Sequence, residues 1–446
     1  MKKFIKWILN LIYTICCLPF YWIYKLSGKT FIKYRFFNVI IKLFPNFYCK
    51  MATKNTNKIS RKLKAKPNKK VAILLWDDSI WSINELYQEL KQKGLSSTII
   101  IHDFNDGTSK EMRENRIKKT KDFCEQNGFN YIINNKKVNI NSYDIILFLS
   151  PYETNFPKNL RLNHIKTNKL TAYIPYGFFL SKIDYLVFEM LSLHLFNYIF
   201  DIQYSIDLAK KTNKLLNYFN RVDVGYPKMD YFFDSEKPEI AVERNCILYA
   251  PHHSIFDLGQ QYSTFDKNYS FFLEMAKKYK NIHWIFRPHP VLARTTIQKG
   301  VFQSYDEYLN YIEEWKNLEN AEVSSKGNYF SEFDRSVCMI LDSESFVAEY
   351  YYENKPIVFL RRDSQRFNSI GQELIYGTYE IEGDNYEALE RFIKAIDDGS
   401  FVDDKKEIRE QAFNRYLNYY EKNQKTASQS ILNYLGVDYE DKKIIY

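Results

Sequence analysis

The chain has 446 residues, 45% hydrophobic, 17% aromatic and 26% charged, with only 14 glycines. That composition excludes a disordered, collagen-like or low-complexity protein and supplies apolar material for two or three domains. The net charge of +9 is unevenly spread: residues 1–70 hold 17 Lys and Arg and no Asp or Glu, which leaves 46 basic and 54 acidic residues, a net of −8, in 71–446. A mildly acidic body is no polyanion binder, so a nucleic-acid partner is not expected. Cys16, Cys17, Cys49, Cys124, Cys246 and Cys338 form no CxxC pair and no regular spacing. They read as isolated reduced thiols rather than a disulfide or zinc framework.

Residues 7–24 (WILNLIYTICCLPFYWIY) carry no charge over 18 positions, about the lower limit for crossing roughly 30 Å of hydrocarbon. Pro19 breaks that helix, and Lys on both sides removes any positive-inside asymmetry. A second aromatic stretch, 31–47, is punctuated by Lys33, Arg35, Lys42 and Pro45. No small-x-small site follows, which argues against a cleaved signal peptide. Lys and Arg among Trp, Tyr and Phe suit a segment lying in the membrane interface, attracted by anionic lipid. Residues 1–50 are therefore expected to form a membrane-associating helical segment, peripheral or monotopic on the cytoplasmic face. Residues 51–70 are expected to be a basic linker, and 1–70 together to contact the lipid surface.

From residue 71 short apolar runs alternate with amphipathic stretches. The runs are 71–76, 97–102, 143–149, 171–176, 198–202 and 222–226, with helices expected at 82–93 and 110–126. A polar hinge at 234–245 precedes a second set at 246–250, 282–286, 337–341, 356–360 and 378–382, and a charged helical stretch over 386–434 closes the chain. Uninterrupted apolar runs between helices indicate parallel strands buried on both faces. The expected fold is α/β, with a Rossmann-like acceptor domain at 71–235 and a Rossmann-like nucleotide-donor domain at 236–446 facing each other across a cleft. There is no GxGxxG and no GxxxxGK[ST], which removes most support for oxidoreductase and P-loop readings.

Open α/β sheets bind ligands beyond the carboxyl ends of their strands. In the second half those ends carry Pro251-His252-His253-Ser254, Arg287-Pro288-His289-Pro290, Asp342-Ser343-Glu344-Ser345 and Arg361-Arg362-Asp363. Arg forks, imidazole N–H groups and small hydroxylated residues opening a helix together describe a diphosphate site. In the first half the ends carry Asp77-Asp78, His102-Asp103 and Pro175-Tyr176-Gly177. An Asp pair there can hold a general base or cap the next helix; Tyr176 can present a phenol to the cleft or pack at the strand end.

Ile247-Leu-Tyr-Ala-Pro251, Arg287-Pro-His-Pro290, Asp342-Ser-Glu-Ser345, Glu349, Lys355-Pro356 and Asp363, preceded by Gly225-Tyr-Pro-Lys-Met-Asp230, resemble the CDP-glycerol glycerophosphotransferase family. These are the teichoic-acid primases and polymerases of GT-B architecture, and the resemblance covers roughly 170–365. It implies that Arg287 and His289 hold the donor diphosphate. Asp342, Ser343 and Ser345, with the later Asp363, would line the phosphate and cytidine–polyol region, and Glu349 would contact the donor polyol.

The sequence departs from the family pattern at two points. The family's W-H-G motif, whose His serves as the general base, aligns with 174–177, so Tyr176 stands at the base position, and an unperturbed phenol near 10 is a poor base. Glu344 replaces the first of two serines. The base is then sought among His252, His253, Asp78 and Tyr176.

The function implied is transfer of a polyol phosphate, glycerol or ribitol, from a CDP-activated donor to a hydroxyl of a lipid-linked or polymeric glycan, releasing CMP. No metal or other cofactor is expected, the CDP-polyol being a substrate. A GT-B nucleotide-sugar glycosyltransferase with a sialyltransferase-like HP motif would use the same cleft. A degenerate membrane-anchored scaffold is the non-enzymatic alternative.

Overall fold

The computed structural model describes residues 45–136, 138–182, 196–201, 221–234, 237, 240–243, 245–255, 261–324 and 329–437. The membrane-associating segment expected over 1–50 therefore falls outside the described residues except at its end. Among the described residues no helix is long and apolar enough to cross a membrane. The chain divides into two compact units, Met1–Tyr176 with Tyr185–Lys228 and Asn423–Tyr446, and Gly177–Asp184 with Met229–Lys422.

The first unit is built on seven strands, β1 (Lys70–Leu75), β2 (Ser96–Ile101), β3 (Tyr131–Ile133), β4 (Ile145–Phe148), β5 (Leu170–Tyr173), β6 (Tyr198–Asp201) and β7 (Arg221–Asp223), in the order β3-β2-β1-β4-β5-β6-β7. Every pairing is parallel. The central strands are sealed on both faces: Val71 to Leu75 of β1 and Ile145 to Phe148 of β4 are fully buried. That is why they read as continuous apolar runs rather than alternating ones. The helix Lys110–Gln126 begins where Ser109 accepts the Met112 amide, as an N-cap should.

The expected linker at 51–70 is instead mostly helix, Pro45–Lys64. Thr56, Ile59, Ser60 and Leu63 share one buried face at helical spacing. Ser60 Oγ lies 3.2 Å from Tyr198 Oη, Asn197 donates to Thr56 Oγ1 at 3.0 Å, and Lys66 reaches Asp144 at 2.6 Å. The chain's linear division at 235/236 is also corrected. Ala427–Tyr434, capped by a reciprocal Thr426/Gln429 box, contributes Ile431 and Leu432 to the first unit's core beside Leu86 and Leu90. The boundary between units falls at Lys228/Met229.

The second unit repeats the plan with β8 (Cys246–Ala250), β9 (His283–Phe286), β10 (Ala321–Val323), β11 (Cys338–Leu341), β12 (Ile357–Arg361) and β13 (Tyr379–Glu382), ordered β10-β9-β8-β11-β12-β13. These pairings are parallel as well. One core gathers Tyr249, Phe272, Trp284, Phe286 and Trp315. In both sheets the chain starts in the middle, runs to one edge, returns and runs to the other. The order reverses between β1 and β4 and between β8 and β11, and a doubly wound sheet opens its binding crevice at such a reversal.

Candidate active site at the carboxyl edge of the second sheet

Hydrogen bonding beyond the strand ends assembles this site. The β8–β9 ladder continues past its strands: Arg287 N donates to Tyr249 O at 2.8 Å and His289 N to Pro251 O at 3.3 Å. This carries the Arg-Pro-His-Pro loop alongside the Pro-His-His-Ser loop. Across the order reversal, Asp342 Oδ1 accepts the His252 amide at 2.5 Å, and Oδ2 accepts both the amide and the hydroxyl of Thr264 at 2.5 and 2.9 Å. Asp342 is wholly buried. Burial pushes its carboxyl up to about 6, and the Thr264 and His252 bonds oppose that rise without cancelling it.

Three imidazoles meet as a result. The rings of His252 and His253 are 4.3 Å apart between centroids, His253 and His289 4.1 Å, and His252 and His289 5.3 Å. One ring nitrogen from each lies within 4.8 Å of the others. Desolvation lowers all three pKa values, His253 to about 4, and the neighbouring rings add to the effect for His252 and His289. Arg294 lowers His253 further. All three are therefore neutral at pH 7 and present N–H donors or lone pairs rather than charge.

Arg287 lies two residues before His289 in the same loop. Its Nη1 donates to Ser324 Oγ at 3.0 Å and to both Glu332 oxygens at 3.2 Å, and its guanidinium lies 4.5 Å from the centre of the Tyr329 ring. Glu332 is buried, which raises its pKa, and the Arg287 charge limits the rise. Arg287 is thus the half-buried partner of a buried carboxylate as well as a candidate phosphate ligand.

The other residues expected here divide into three groups. Ser343 precedes the short helix Glu344–Tyr350, with Ser345 in its first turn. Glu349 is buried at 2% exposure and accepts the Tyr329 hydroxyl, so its carboxylate is occupied inside the unit. Lys355 donates to the Phe333 and Asp334 carbonyls, a packing role. Asp363 is exposed after β12, while neighbouring Arg362 pairs with Asp266.

Asp78 and Tyr176 belong to the first unit. Asp77 caps, accepting the Ser79 amide at 2.9 Å, and Asp78 is buried with Lys119 Nζ at 3.3 Å. Burial raises the Asp78 pKa, with Lys119 opposing. Tyr176 packs against the apolar core and hydrogen-bonds Tyr152. His102, at the end of β2, is buried with Nδ1 2.8 Å from Asp103 O, and burial lowers its pKa to about 4.

Thr264, Ser324, Glu332 and Arg294 join the site without having been singled out in the sequence. Thr264 opens the helix Phe265–Lys278 and Arg294 lies in Leu292–Lys299. No motif marks them, because each reaches the cluster only through the fold. The fold also brings one nitrogen of each imidazole together, a proximity the sequence spacing does not reveal, and Nδ1 of His252 and of His289 each accepts a backbone amide at 3.2 Å.

Residues 211–436 match the sequence profile of CDP-glycerol:poly(glycerophosphate) glycerophosphotransferase. Curated proteins offer no sequence match. Among solved structures, a variant of the wall teichoic acid polymerase TagF soaked with CDPG is 12% identical, with a TM-score of 0.51, covering 90% of this chain and 96% of that one. The S. aureus MnaA–UDP structure is 13% identical over 85% of this chain and 100% of that one, TM-score 0.47. UDP-GlcNAc 2-epimerase from Neisseria meningitidis is 13% identical over 82% and 99%, TM-score 0.46. The likeness to TagF is one of fold, and the two parallel-sheet units expected for a GT-B protein are both present.

Proposed function

The chain belongs to the CDP-glycerol:poly(glycerophosphate) glycerophosphotransferase family, and from that premise we propose that it transfers a polyol phosphate from a CDP-activated donor to a hydroxyl of a lipid-linked or polymeric acceptor. The product is a phosphodiester of a teichoic-acid or capsule-like polymer, and CMP is released. The observation that carries this reading is the trio of neutral imidazoles at the order reversal of the second sheet, backed by Arg287.

In the reaction the acceptor hydroxyl loses its proton to a base and its oxygen attacks the β-phosphorus of the donor. The bond from that phosphorus to the oxygen of CMP breaks, and CMP leaves with the bonding pair. Imidazole N–H groups and the Arg287 charge would oppose the negative charge gathering on the phosphoryl oxygens. Desolvated donors suit this task, since they need no reorganisation as charge develops. Ser343 and Ser345 would complete the donor region. The basic leader, 1–70, would hold the enzyme on anionic lipid at the cytoplasmic face, where donor and acceptor meet.

The test uses the full chain with CDP-glycerol, CDP-ribitol, a CMP-sugar and a UDP-sugar in turn, reading calorimetric binding and CMP release. Binding and turnover of a CDP-polyol, both lost in His289→Ala, are expected. Binding confined to a CMP- or UDP-sugar would transfer the assignment to a glycosyltransferase. No binding and no turnover with any of the four would leave the scaffold, and turnover unchanged in both His289→Ala and Arg287→Ala would move the chemistry away from this loop.

A further inference from the structure

Two of the three imidazoles have their ring nitrogens already assigned by backbone amides. His252 Nδ1 receives the Ser254 N–H at 3.2 Å, and His289 Nδ1 receives the Val291 N–H at 3.2 Å. An amide nitrogen cannot accept a hydrogen bond, so each of these long contacts favours a lone pair on Nδ1, and at His252 a second donor to the same nitrogen completes the preference. Ser254 strengthens the first of these locks. Its Oγ accepts the Tyr262 amide at 3.0 Å and lies 2.7 Å from His252 Nδ1, which places the hydroxyl to donate to the nitrogen that the Ser254 amide also faces. A neutral imidazole with its lone pair on Nδ1 carries its hydrogen on Nε2.

His253 differs. Its Nδ1 is buried with no hydrogen-bond partner among the described residues, while the residue as a whole remains partly exposed. Among the described residues no amide fixes its tautomer.

We propose that Ser254 is a positioning residue that, with the Val291 amide, holds His252 and His289 as Nε2–H hydrogen-bond donors, leaving His253 as the imidazole of the cluster able to accept a proton. This rests on the donor-phosphate reading of the site. It also separates the cluster from a metal centre. A metal-bound imidazole uses one nitrogen for the ion and donates from the other to a carbonyl or carboxylate. Here the second nitrogen of two of the rings already receives a donor, which leaves N–H groups where an ion would need lone pairs. The arrangement suits an anion. It also removes His252 from the candidates for general base, because its one lone pair is occupied. In the transfer step the acceptor O–H bond breaks and its proton passes to the His253 ring as the new O–P bond forms.

The experiment is long-range 1H–15N correlation on the full chain labelled at its seven histidines, without donor, at pH 7, with signals assigned by single His→Gln variants. His252 and His289 should each show an unprotonated Nδ1 and a protonated Nε2. Ser254→Ala should give His252 a mixture of tautomers and raise the KM for CDP-glycerol by about fivefold, the scale of one lost hydrogen bond. Ser254→Thr, which keeps the hydroxyl, should restore both. His253→Gln should lower kcat by about a hundredfold or more with KM little changed.

An Nδ1–H tautomer at His252 or His289 overturns the proposal, as does stoichiometric Zn2+ binding that shifts all three rings. So does a Ser254→Ala spectrum identical to wild type. If the tautomers are as assigned but no CDP-polyol is bound or turned over, the functional reading fails and the tautomer assignment stands.

Discussion

The two sheets share one winding plan but finish their strands with different chemistry. The first ends in Trp76-Asp77-Asp78, His102-Asp103 and Tyr176, and most of those groups are spoken for within their own unit. Asp77 caps, Asp78 faces Lys119, His102 Nδ1 pairs with a backbone oxygen, and Trp76 stacks on Phe104 at 4.1 Å. The second ends in His252-His253, Arg287, His289 and Asp342, where one buried carboxylate staples two loops and brings neutral imidazoles into ring contact. Winding order therefore decides where a crevice opens, and the loops decide what chemistry it holds. Substitutions on the second rim should accordingly cost both activity and stability, and those on the first should cost little of either.

The largest effect is expected at Arg287. The side chains of Arg287 and Glu332 are 13% and 4% exposed, so Arg287→Ala strands a buried carboxylate and should cost about 3–5 kcal/mol along with activity. Urea unfolding reads the first and CMP release the second. Glu332→Gln keeps a hydrogen-bond acceptor for Arg287 and should cost less. Wild-type stability in Arg287→Ala would show that the pair is not part of the frame.

Asp342 comes next, and its signature is a pH dependence. The folded pKa of about 6 stands above the ordinary 3.8, so the native state holds the proton more tightly than the unfolded chain. The stability this group contributes is full below about 3.8 and is lost as pH rises through about 6, a change of ~3 kcal/mol. Asp342→Asn should abolish that step in unfolding free energy measured from pH 3.5 to 7, whatever its constant offset. A wild-type curve with no decline across that window would mean that the bonds from His252 and Thr264 fully offset the burial of Asp342.

How much of this was legible in the sequence depends on whether the signal was local. The central strands were readable because both faces are buried and their residues are continuously apolar. β3 and β10, three residues each and only partly buried, carry too few apolar positions to stand out. The helix Pro45–Lys64 was missed because its inward face relies on Ile59 and Leu63 amid lysines. The return of Ala427–Tyr434 to the first unit is a tertiary fact that no local pattern encodes. The site followed the same rule. His252, His253, Arg287 and His289 were visible as strand-end residues of the right chemistry. Thr264 and Glu332 were not, since their importance comes from buried carboxylate partnerships across 78 and 45 positions of chain. Glu349 was given its polyol contact by the family resemblance, and its burial against Tyr329 argues for a packing role instead.

The smallest effects should come from the first rim, and they probe the contrast most sharply. Asp78 is buried at 5% side-chain exposure while its partner Lys119 is 53% exposed, so solvent screens the pair. Lys119→Ala should cost less than about 1 kcal/mol and should push the Asp78 pKa further up, because Lys119 is the main influence opposing burial. Asp78→Asn removes a carboxylate whose charged form burial disfavours, so above the Asp78 pKa stability should hold or rise slightly. Its kcat should fall by less than tenfold, since a general base is worth about a hundredfold or more and that role is placed on His253. Tyr176→Phe, which loses the hydrogen bond to Tyr152, should behave similarly. A hundredfold fall in kcat for Asp78→Asn, with KM and stability unchanged, would break the comparison. It would place the proton acceptor on the first sheet and reduce the second rim to holding the donor.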